Sequence, residues 1–366
     1  MSEGTDTSTV TDSDDIPSFF RHTTIFITGV TGFLGHVLVS KLLSSCPDIR
    51  KIYVLMRQKR NRDVNERFRE LFDAPIFEKL KNDNPKVFFK MAAIEGDCLE
   101  PNLGISEKDQ ITLQNEVNIV FHVAATVKFD APLRDAVNIN VRSTRDLLEI
   151  AKKMKHLKSF VHVSTAFSHC AERKFIEEKL YEAPMPASSL ITLVDQLSDQ
   201  VVDKITPTLL GSFPNTYVFT KAVAEGLFTS KSLDLPTSIF RPGIVISTAK
   251  EPIPGWINNL YGPTGLVAAA GIGLVHTLHS NKDCKANIVP CDYVINALVA
   301  VAWYTAKHWK PLKMNLEKLD DEEVRPVPVF NYSSSATKKS LTWHQFMDGN
   351  VDMEPEMPFS HSVIQK

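Results

Sequence analysis

Thr24-Ile25-Phe26-Ile27-Thr28-Gly29-Val30-Thr31-Gly32-Phe33-Leu34-Gly35 decides the fold. The run Thr24 to Thr28 is dense in β-branched and aromatic side chains and reads as a short buried strand. Three glycines follow at Gly-x-x-Gly-x-x-Gly spacing, and Val37, Leu38, Leu42 and Leu43 then recur with a helical period. Strand, glycine turn and helix in that order open a dinucleotide-binding α/β unit. The first glycine permits the tight turn and the second lets backbone N–H groups approach a pyrophosphate. The third lets the helix pack closely on the strand, with its N-terminal dipole facing the phosphates. The spacing differs from the Gly-x-Gly-x-x-Gly of ordinary dehydrogenases.

Downstream the alternation of strand and helix continues. Lys51-Ile52-Tyr53-Val54-Leu55-Met56 reads as a second strand and ends at Arg57, where an NAD-binding fold usually carries an acidic residue for the ribose 2′-hydroxyl. A guanidinium there suits a 2′-phosphate, which favours NADP; Lys59, Arg60 and Arg62 follow, and a solvated basic loop is the competing reading. A third strand around Val87 to Ile94 closes on Gly96-Asp97, whose carboxylate suits the adenine amino group. A fourth, Val117 to Val123, opens into Ala124-Ala125, small residues that let backbone lie against a cofactor. His122 sits inside that apolar strand and reads as a packed core histidine. A long amphipathic helix around Leu133 to Met154 is expected to cover one face. The pattern from about residue 22 to 166 predicts a doubly wound, parallel, Rossmann-type α/β sheet.

The fifth strand, Ser159-Phe160-Val161-His162-Val163, delivers Ser164-Thr165-Ala166 at the sheet edge where ligands bind. A hydroxyl there can hydrogen-bond a reacting carbonyl oxygen. Farther on, Asn215-Thr216-Tyr217-Val218-Phe219-Thr220-Lys221 sets a tyrosine and a lysine at i, i+4 on one helix face. An ammonium beside a phenol favours the phenolate, so the pair is expected to lower the Tyr217 pKa and make it a usable proton donor or acceptor. Taken alone, such a pair occurs on many solvated helices. Glycine turn, strand-end hydroxyl and Tyr-x-x-x-Lys in this order make chance a poor explanation.

At 366 residues and 43% hydrophobic content, the chain can bury a large core. A formal net charge of −2 gives no reason to expect a nucleic-acid partner. Cys46, Cys98, Cys170, Cys284 and Cys291 form no Cys-x-x-Cys pair and read as reduced thiols in a cytosol-facing compartment. The histidines form no ligand spacing, so no metal is expected; His276 and His279 read as packing residues. Residues 1–20 read as a disordered segment whose first part is polar and acidic, without a signal peptide. The longest apolar runs, near Gly265 to Val275 and Val294 to Trp303, fall short of the roughly 20 residues needed to span a bilayer. The first of them reads as a membrane-facing or acyl-lining surface.

Beyond these motifs the chain resembles the extended short-chain dehydrogenase/reductases, and within them the fatty acyl-CoA reductases. The likeness runs from about Ile16 to Trp343. It is carried by Phe121 to Asp130, Val163 to Phe167, Pro214 to Tyr217, Arg241-Pro242-Gly243-Ile244-Val245, Pro254-Gly255-Trp256-Ile257-Asn258-Asn259 and Ile288 to Tyr293. The resemblance implies NADPH-dependent reduction of a long-chain fatty acyl-CoA to the alcohol through the aldehyde, with release of coenzyme A. It implies Thr165, Tyr217 and Lys221 as catalytic residues, with Ser164 as the competing hydroxyl. It further implies a cofactor surface of Thr28, Gly29, Thr31, Gly32, Phe33, Leu34, Gly35, Arg57, Asp97, Val123, Ala124, Ala125, Lys221, Pro242 and Gly243. The expected organisation is an NADP-binding domain over 21–305, with a substrate lobe built from about 168–212 and 249–286 serving as a lid. A tail over 306–366 would be the truncated start of a C-terminal domain. Peripheral contact with a peroxisomal or endoplasmic reticulum membrane is also implied. A sugar-nucleotide epimerase or dehydratase shares the core motifs, although the Pro254-Gly255-Trp256 segment argues against it. A catalytically silent NADP-binding scaffold is the remaining alternative.

Overall fold

A computed structural model describes residues 15–59, 62–229, 234–309, 326–335 and 339–353. The stretch up to Asp14, Arg60, the charged Asp320 to Arg325 and everything from residue 354 lie outside the described residues.

The strands are β1 (Thr24–Thr28), β2 (Lys51–Met56), β3 (Met91–Glu95), β4 (Ile119–His122), β5 (Ser159–Val163), β6 (Thr237–Pro242), β7 (Ile244–Ile246), β8 (Ile288–Pro290) and β9 (Val329–Tyr332). Seven of them form one sheet in the order β3-β2-β1-β4-β5-β6-β9, and every pairing in it is parallel. The chain leaves β1 toward β3 and then returns to the far side of β1 as β4. That reversal is the switch point at which the carboxyl ends of β1 and β4 open a crevice. β7 and β8 pair separately as a short parallel ribbon.

Parallel strands covered on both faces need no polar side, so they read as unbroken apolar runs. Side chains alternate across the pleat. Ile25 and Ile27 of β1 join Val37, Leu38 and Leu42 of the Phe33–Ser45 helix and Val294, Ile295 and Leu298 of the Cys291–His308 helix on one face. Phe26, between them, joins Leu113, Val120, Leu147 and Phe160 on the other. A third cluster gathers Leu190, Val194 and Val202 around Val218, Phe219 and Val223.

Several boundaries differ from the sequence reading. Ile16–Phe20 is helical, capped by the Asp15 carboxylate accepting from the Ser18 N–H at 2.7 Å, and Phe20 is fully buried in the core. Disorder was expected through residue 20, but a phenylalanine with a core socket outweighs a polar neighbourhood. β3 begins at Met91, because Pro85 to Lys90 takes a 3-10 turn. The sheet also continues past residue 305: β9 pairs with β6 in register Ile239 with Val329, and Val329 is buried. His276 and His279 are exposed, not packed. The helix expected over Leu133 to Met154 is interrupted. It runs Leu133–Val137, widens into a π turn over Asn138–Arg142 and resumes over Ser143–Ala151.

Candidate active site

Gly29 adopts a φ of +78°, a conformation that side-chain-bearing residues rarely accept, and a Cβ there would lie 2.7 Å from the Ala124 nitrogen. At Gly35 a Cβ would sit 2.3 Å from the Gly29 carbonyl oxygen. These two glycines let the turn close on β4 and let the helix close on the turn. Gly32, between them, is exposed and N-caps the helix without any side-chain hydrogen bond. The helix's first N–H groups are therefore left for an anion, and this cradle fits a dinucleotide pyrophosphate. Thr31 is exposed beside it, whereas Phe33 and Leu34 are half-buried. Thr28 is buried, its hydroxyl paired with His122 Nδ1 at 2.7 Å and accepting from the Ala124 N–H at 3.2 Å. It shapes the crevice floor without facing it. His122, fully buried and also paired with Thr144 at 3.0 Å, is the core histidine expected. Val123, Ala124 and Ala125 are partly exposed at the end of β4.

At the other end of the crevice, Arg57 Nη1 donates to Asp97 Oδ2 at 3.0 Å, and the guanidinium remains partly exposed. Asp97 Oδ1 accepts from the Leu99 N–H at 3.1 Å. The two residues chosen for different parts of an adenosine thus hold each other. Arg67, from the Val64–Leu71 helix, donates to the Arg57 carbonyl. Its pKa is lowered by burial and then by the Arg57 charge, so two guanidinium groups crowd one corner. Sequence reading missed Arg67, although the capping box Asp63/Glu66 marks the start of its helix. Lys59 and Arg62 pair through an isolated antiparallel bridge, and Arg62 pairs outward with Glu70 at 2.7 Å.

The chemical end is built by β5 and the Thr216–Glu225 helix. Asn215 caps that helix by accepting from the Val218 N–H at 2.9 Å. Tyr217, Lys221 and Glu225 recur every four residues on one face. Three consecutive residues at the end of β5 meet them. The Val163 carbonyl accepts from Lys221 Nζ at 2.7 Å, the Ser164 hydroxyl donates to Glu225 Oε1 at 2.5 Å, and the Thr165 side chain lies beside the Tyr217 phenol. Of the two neighbouring hydroxyls, Thr165 faces the tyrosine and Ser164 is spent on the glutamate.

The electrostatics depart from the expectation of an acidified phenol. Burial pushes the Tyr217 phenol up to about 12, opposed by the Thr165 hydroxyl beside it. Burial also brings the Lys221 ammonium down to about 8, opposed mainly by the negative charge of Glu225. Lys221 points its charge at a backbone carbonyl, and desolvation outweighs the effect that one cation exerts on the phenol. The exposed ring of Phe129 stacks on Tyr217 at 6.0 Å between centroids. Its loop is anchored by Asn140 of the π turn, whose Oδ1 accepts from the Thr126 N–H at 3.0 Å and whose Nδ2 donates to the Thr220 hydroxyl at 3.0 Å.

Pro242 and Gly243 are buried. The Gly243 N–H donates to the Tyr332 carbonyl at 2.8 Å, and a Cβ at Gly243 would meet the Asn287 oxygens at 2.8 Å. They shape the β6 end by packing. Trp256 lies against Phe33 at 5.7 Å and His36 at 6.1 Å, so the Pro254-Gly255-Trp256 segment covers the first turn of the glycine helix. Among the described residues no cluster of potential metal ligands forms.

The family described as Male sterility protein matches residues 27–298. The chain is 38% identical over 356 residues to the fatty acyl-CoA reductase wat of Drosophila melanogaster, covering 97% of this chain and 66% of that protein. It is 43% identical over 290 residues to human fatty acyl-CoA reductase 1, covering 79% of this chain and 56% of that protein. The chain thus spans about half to two-thirds of the length of these relatives. In fold it is similar to the reductase domain of a non-ribosomal peptide synthetase from Mycobacterium tuberculosis, with a TM-score of 0.62 at 17% identity, covering 94% of this chain and 73% of that one. With its glycine cradle at the switch point of a parallel sheet, the chain belongs to the nicotinamide-dinucleotide-binding Male sterility protein family, among relatives named fatty acyl-CoA reductases.

Proposed function

We propose that the chain reduces a long-chain fatty acyl-CoA with NADPH, giving the alcohol by way of the aldehyde and releasing coenzyme A. The observation that carries this reading is the Thr165, Tyr217 and Lys221 constellation at the carboxyl edge of β5, facing the glycine cradle's side of the sheet. A bound nicotinamide supplies the hydride. Tyr217 and Thr165 present two hydroxyl donors to the thioester carbonyl oxygen, and they stabilise the negative charge that develops there. Tyr217, with its proton held at every physiological pH, is the proton donor to that oxygen. Lys221, cationic below about pH 8, supplies a positive charge beneath the site and an ammonium suited to ribose hydroxyls. Collapse of the resulting hemithioacetal expels the thiol of coenzyme A, and the aldehyde left behind is a substrate for the same donors in a second cycle.

Preference for the phosphorylated cofactor is supported by the Arg57 and Arg67 corner, where a 2′-phosphate would take the place of Asp97 as partner of the Arg57 guanidinium. Exposed Leu260, Tyr261, Ile272, Leu274 and Leu278 support contact between this segment and acyl chains or a peripheral membrane surface. The membrane suggested by the resemblance is peroxisomal or endoplasmic reticulum. No helix among the described residues is long and apolar enough to cross a membrane.

The test is cofactor oxidation by the purified chain with acyl-CoAs of graded length, followed by identification of the lipid product. Oxidation of NADPH that tracks fatty alcohol formation is expected, with NADH a poorer donor. Arg57→Asp should raise the KM for NADPH by about tenfold or more and narrow that preference, since a charge-assisted contact becomes repulsion. Cofactor bound but never consumed with any acyl-CoA would leave the scaffold reading in its place.

A further inference from the structure

Beneath the tyrosine and lysine lies a cluster that the mechanism above does not use. Glu225 is fully buried, and both its carboxylate oxygens are saturated. Oε1 accepts from the Ser164 hydroxyl at 2.5 Å and from Arg241 Nε at 2.9 Å, while Oε2 accepts from Arg241 Nη2 at 2.5 Å and faces His169 Nε2 at 3.0 Å. Arg241, also fully buried, reaches on to the carbonyls of Glu177 and Lys179 at 3.1 Å each. Through it the glutamate grips the loop that follows Thr165. A carboxylate held this way in the interior is costly to desolvate, and replacement by apolar groups would often serve folding equally well. Its position has a second consequence. It stands one helical turn beyond Lys221, as Lys221 stands one turn beyond Tyr217, so the same face that carries the reaction ends in a fixed negative charge.

We propose that Glu225 is a positioning residue for the reduction, acting in two ways: it clamps Ser164 and so sets the Thr165 hydroxyl toward Tyr217, and it fixes a buried negative charge one helical turn from the Lys221 ammonium. The proposal rests on the reading that Thr165, Tyr217 and Lys221 perform the chemistry. Three observations converge on it. The bonds from Lys221 to Val163 and from Ser164 to Glu225, with Thr165 beside the Tyr217 phenol, tie three successive residues at the end of β5 to one helix face, so releasing Ser164 loosens the residues on either side of it. Among the described residues no other anionic group faces the ammonium: His122 on β4 and His162 on β5 are fully buried and neutral, Cys98 after β3 is a protonated thiol, and Tyr217 retains its proton. Arg241 on β6 is the nearest further charge in the cluster; it is cationic and opposes the lysine's charge once Glu225 is neutral. In agreement, Glu225 is the leading influence that offsets burial at Lys221, and its own carboxyl is held down to about 2 despite burial, first by hydrogen bonding to His169 and Arg241.

The test is a titration of Lys221 by NMR in the full chain with lysine labelled at Cε, the resonance being assigned with Lys221→Met. In the wild-type chain the midpoint is expected near 8. Glu225→Gln preserves shape and removes the charge, so the midpoint should fall by about one unit or more, cutting the protonated fraction at pH 8 from about half to about a tenth. The alkaline limb of kcat for NADPH oxidation should move acidward by the same amount. Glu225→Asp, which keeps the charge within the same turn, should leave the midpoint near the wild-type value while kcat falls, because the Ser164 bond is lost. Should Glu225→Gln fail to fold with Arg241 unpaired, Glu225→Gln with Arg241→Met removes both charges, and the midpoint should still fall, by less than in the single variant because the opposing guanidinium is gone as well. A folded Gln variant whose Lys221 midpoint and alkaline limb stay at wild-type values overturns the proposal. If the wild-type chain oxidises NADPH with no acyl-CoA, the assigned function falls, and the NMR midpoint still decides the role of Glu225.

Discussion

At the scale of single residues, the active centre is a question of which hydroxyl points where. Ser164 and Thr165 are adjacent, equally buried and chemically alike, yet only Thr165 meets the Tyr217 phenol. Both lie just past the end of β5 against the Thr216–Glu225 helix, where Ser164 meets Glu225 at its last turn and Thr165 meets Tyr217 at its first. Tyr217→Phe keeps the ring and its stacking with Phe129 but removes the hydroxyl that the proposed reaction uses as proton and oxyanion donor. Turnover is expected to fall by about a hundredfold or more, with the NADPH dissociation constant within about twofold of wild type. Stopped-flow oxidation and fluorescence titration of NADPH measure the two separately. A phenylalanine variant with near-normal turnover would exclude Tyr217 as the proton donor.

At the scale of elements, the π turn is the device that joins the β4 side of the crevice to the helix carrying Tyr217 and Lys221. Widening the helix at Asn138–Arg142 delivers the buried Asn140 side chain between the Thr126 backbone and the Thr220 hydroxyl, and π turns of this kind recur at functional sites. Asn140→Leu occupies the space but leaves the Thr126 N–H and the Thr220 hydroxyl without this partner. A loss of about 1–3 kcal/mol in unfolding free energy is expected, together with a fall in kcat of about tenfold as the Phe129 loop loses its anchor. Denaturant unfolding and steady-state rates check the two parts, and a variant equal to wild type in both would show that the turn is only a packing accident. The apolar period over Leu133 to Met154 gave no sign of this turn, because one extra residue shifts the pattern by less than its own irregularity.

For the whole molecule, the buried titratable groups set the acid limit of stability. His122 is neutral inside the sheet with its pKa lowered to about 3, and His162 is lowered well below its ordinary value, both by burial first. An unfolded chain protonates these rings near pH 6.5, so the stability they permit is complete above that pH and is lost as the pH falls toward their folded values. Glu225, held at about 2, contributes stability present above about 4.5 and lost as the pH falls through about 2. Each group adds a slope of up to about 1.4 kcal/mol per pH unit in its window. The melting temperature should therefore drop steadily from pH 7 to pH 4. Among the described residues His162 meets no hydrogen-bond partner on either ring nitrogen, and it lies 5.1 Å from the Phe228 ring. His162→Phe should consequently flatten the slope between pH 6 and 4, as read by calorimetry, and an unchanged slope would remove His162 from the account.

The sequence by itself determined the first five strands of the sheet and their order along the chain. Strands buried on both faces announce themselves as apolar runs, and the glycines at positions 29 and 35 are demanded by backbone contacts too close for any side chain. It also named the Tyr217 and Lys221 pair, because helical spacing alone puts them on one face. Tertiary structure decided what spacing cannot carry. Desolvation, which depends on what packs above and below, raised the phenol and lowered the ammonium against the expectation drawn from their proximity. Arg57 and Asp97, read as separate ligands, became partners across the strand order β3-β2, and Val329 joined a sheet expected to have ended. Glu225 and Arg241 were visible as letters but not as a pair, since only folding brings a helix end and a neighbouring strand within hydrogen-bonding distance around one buried charge.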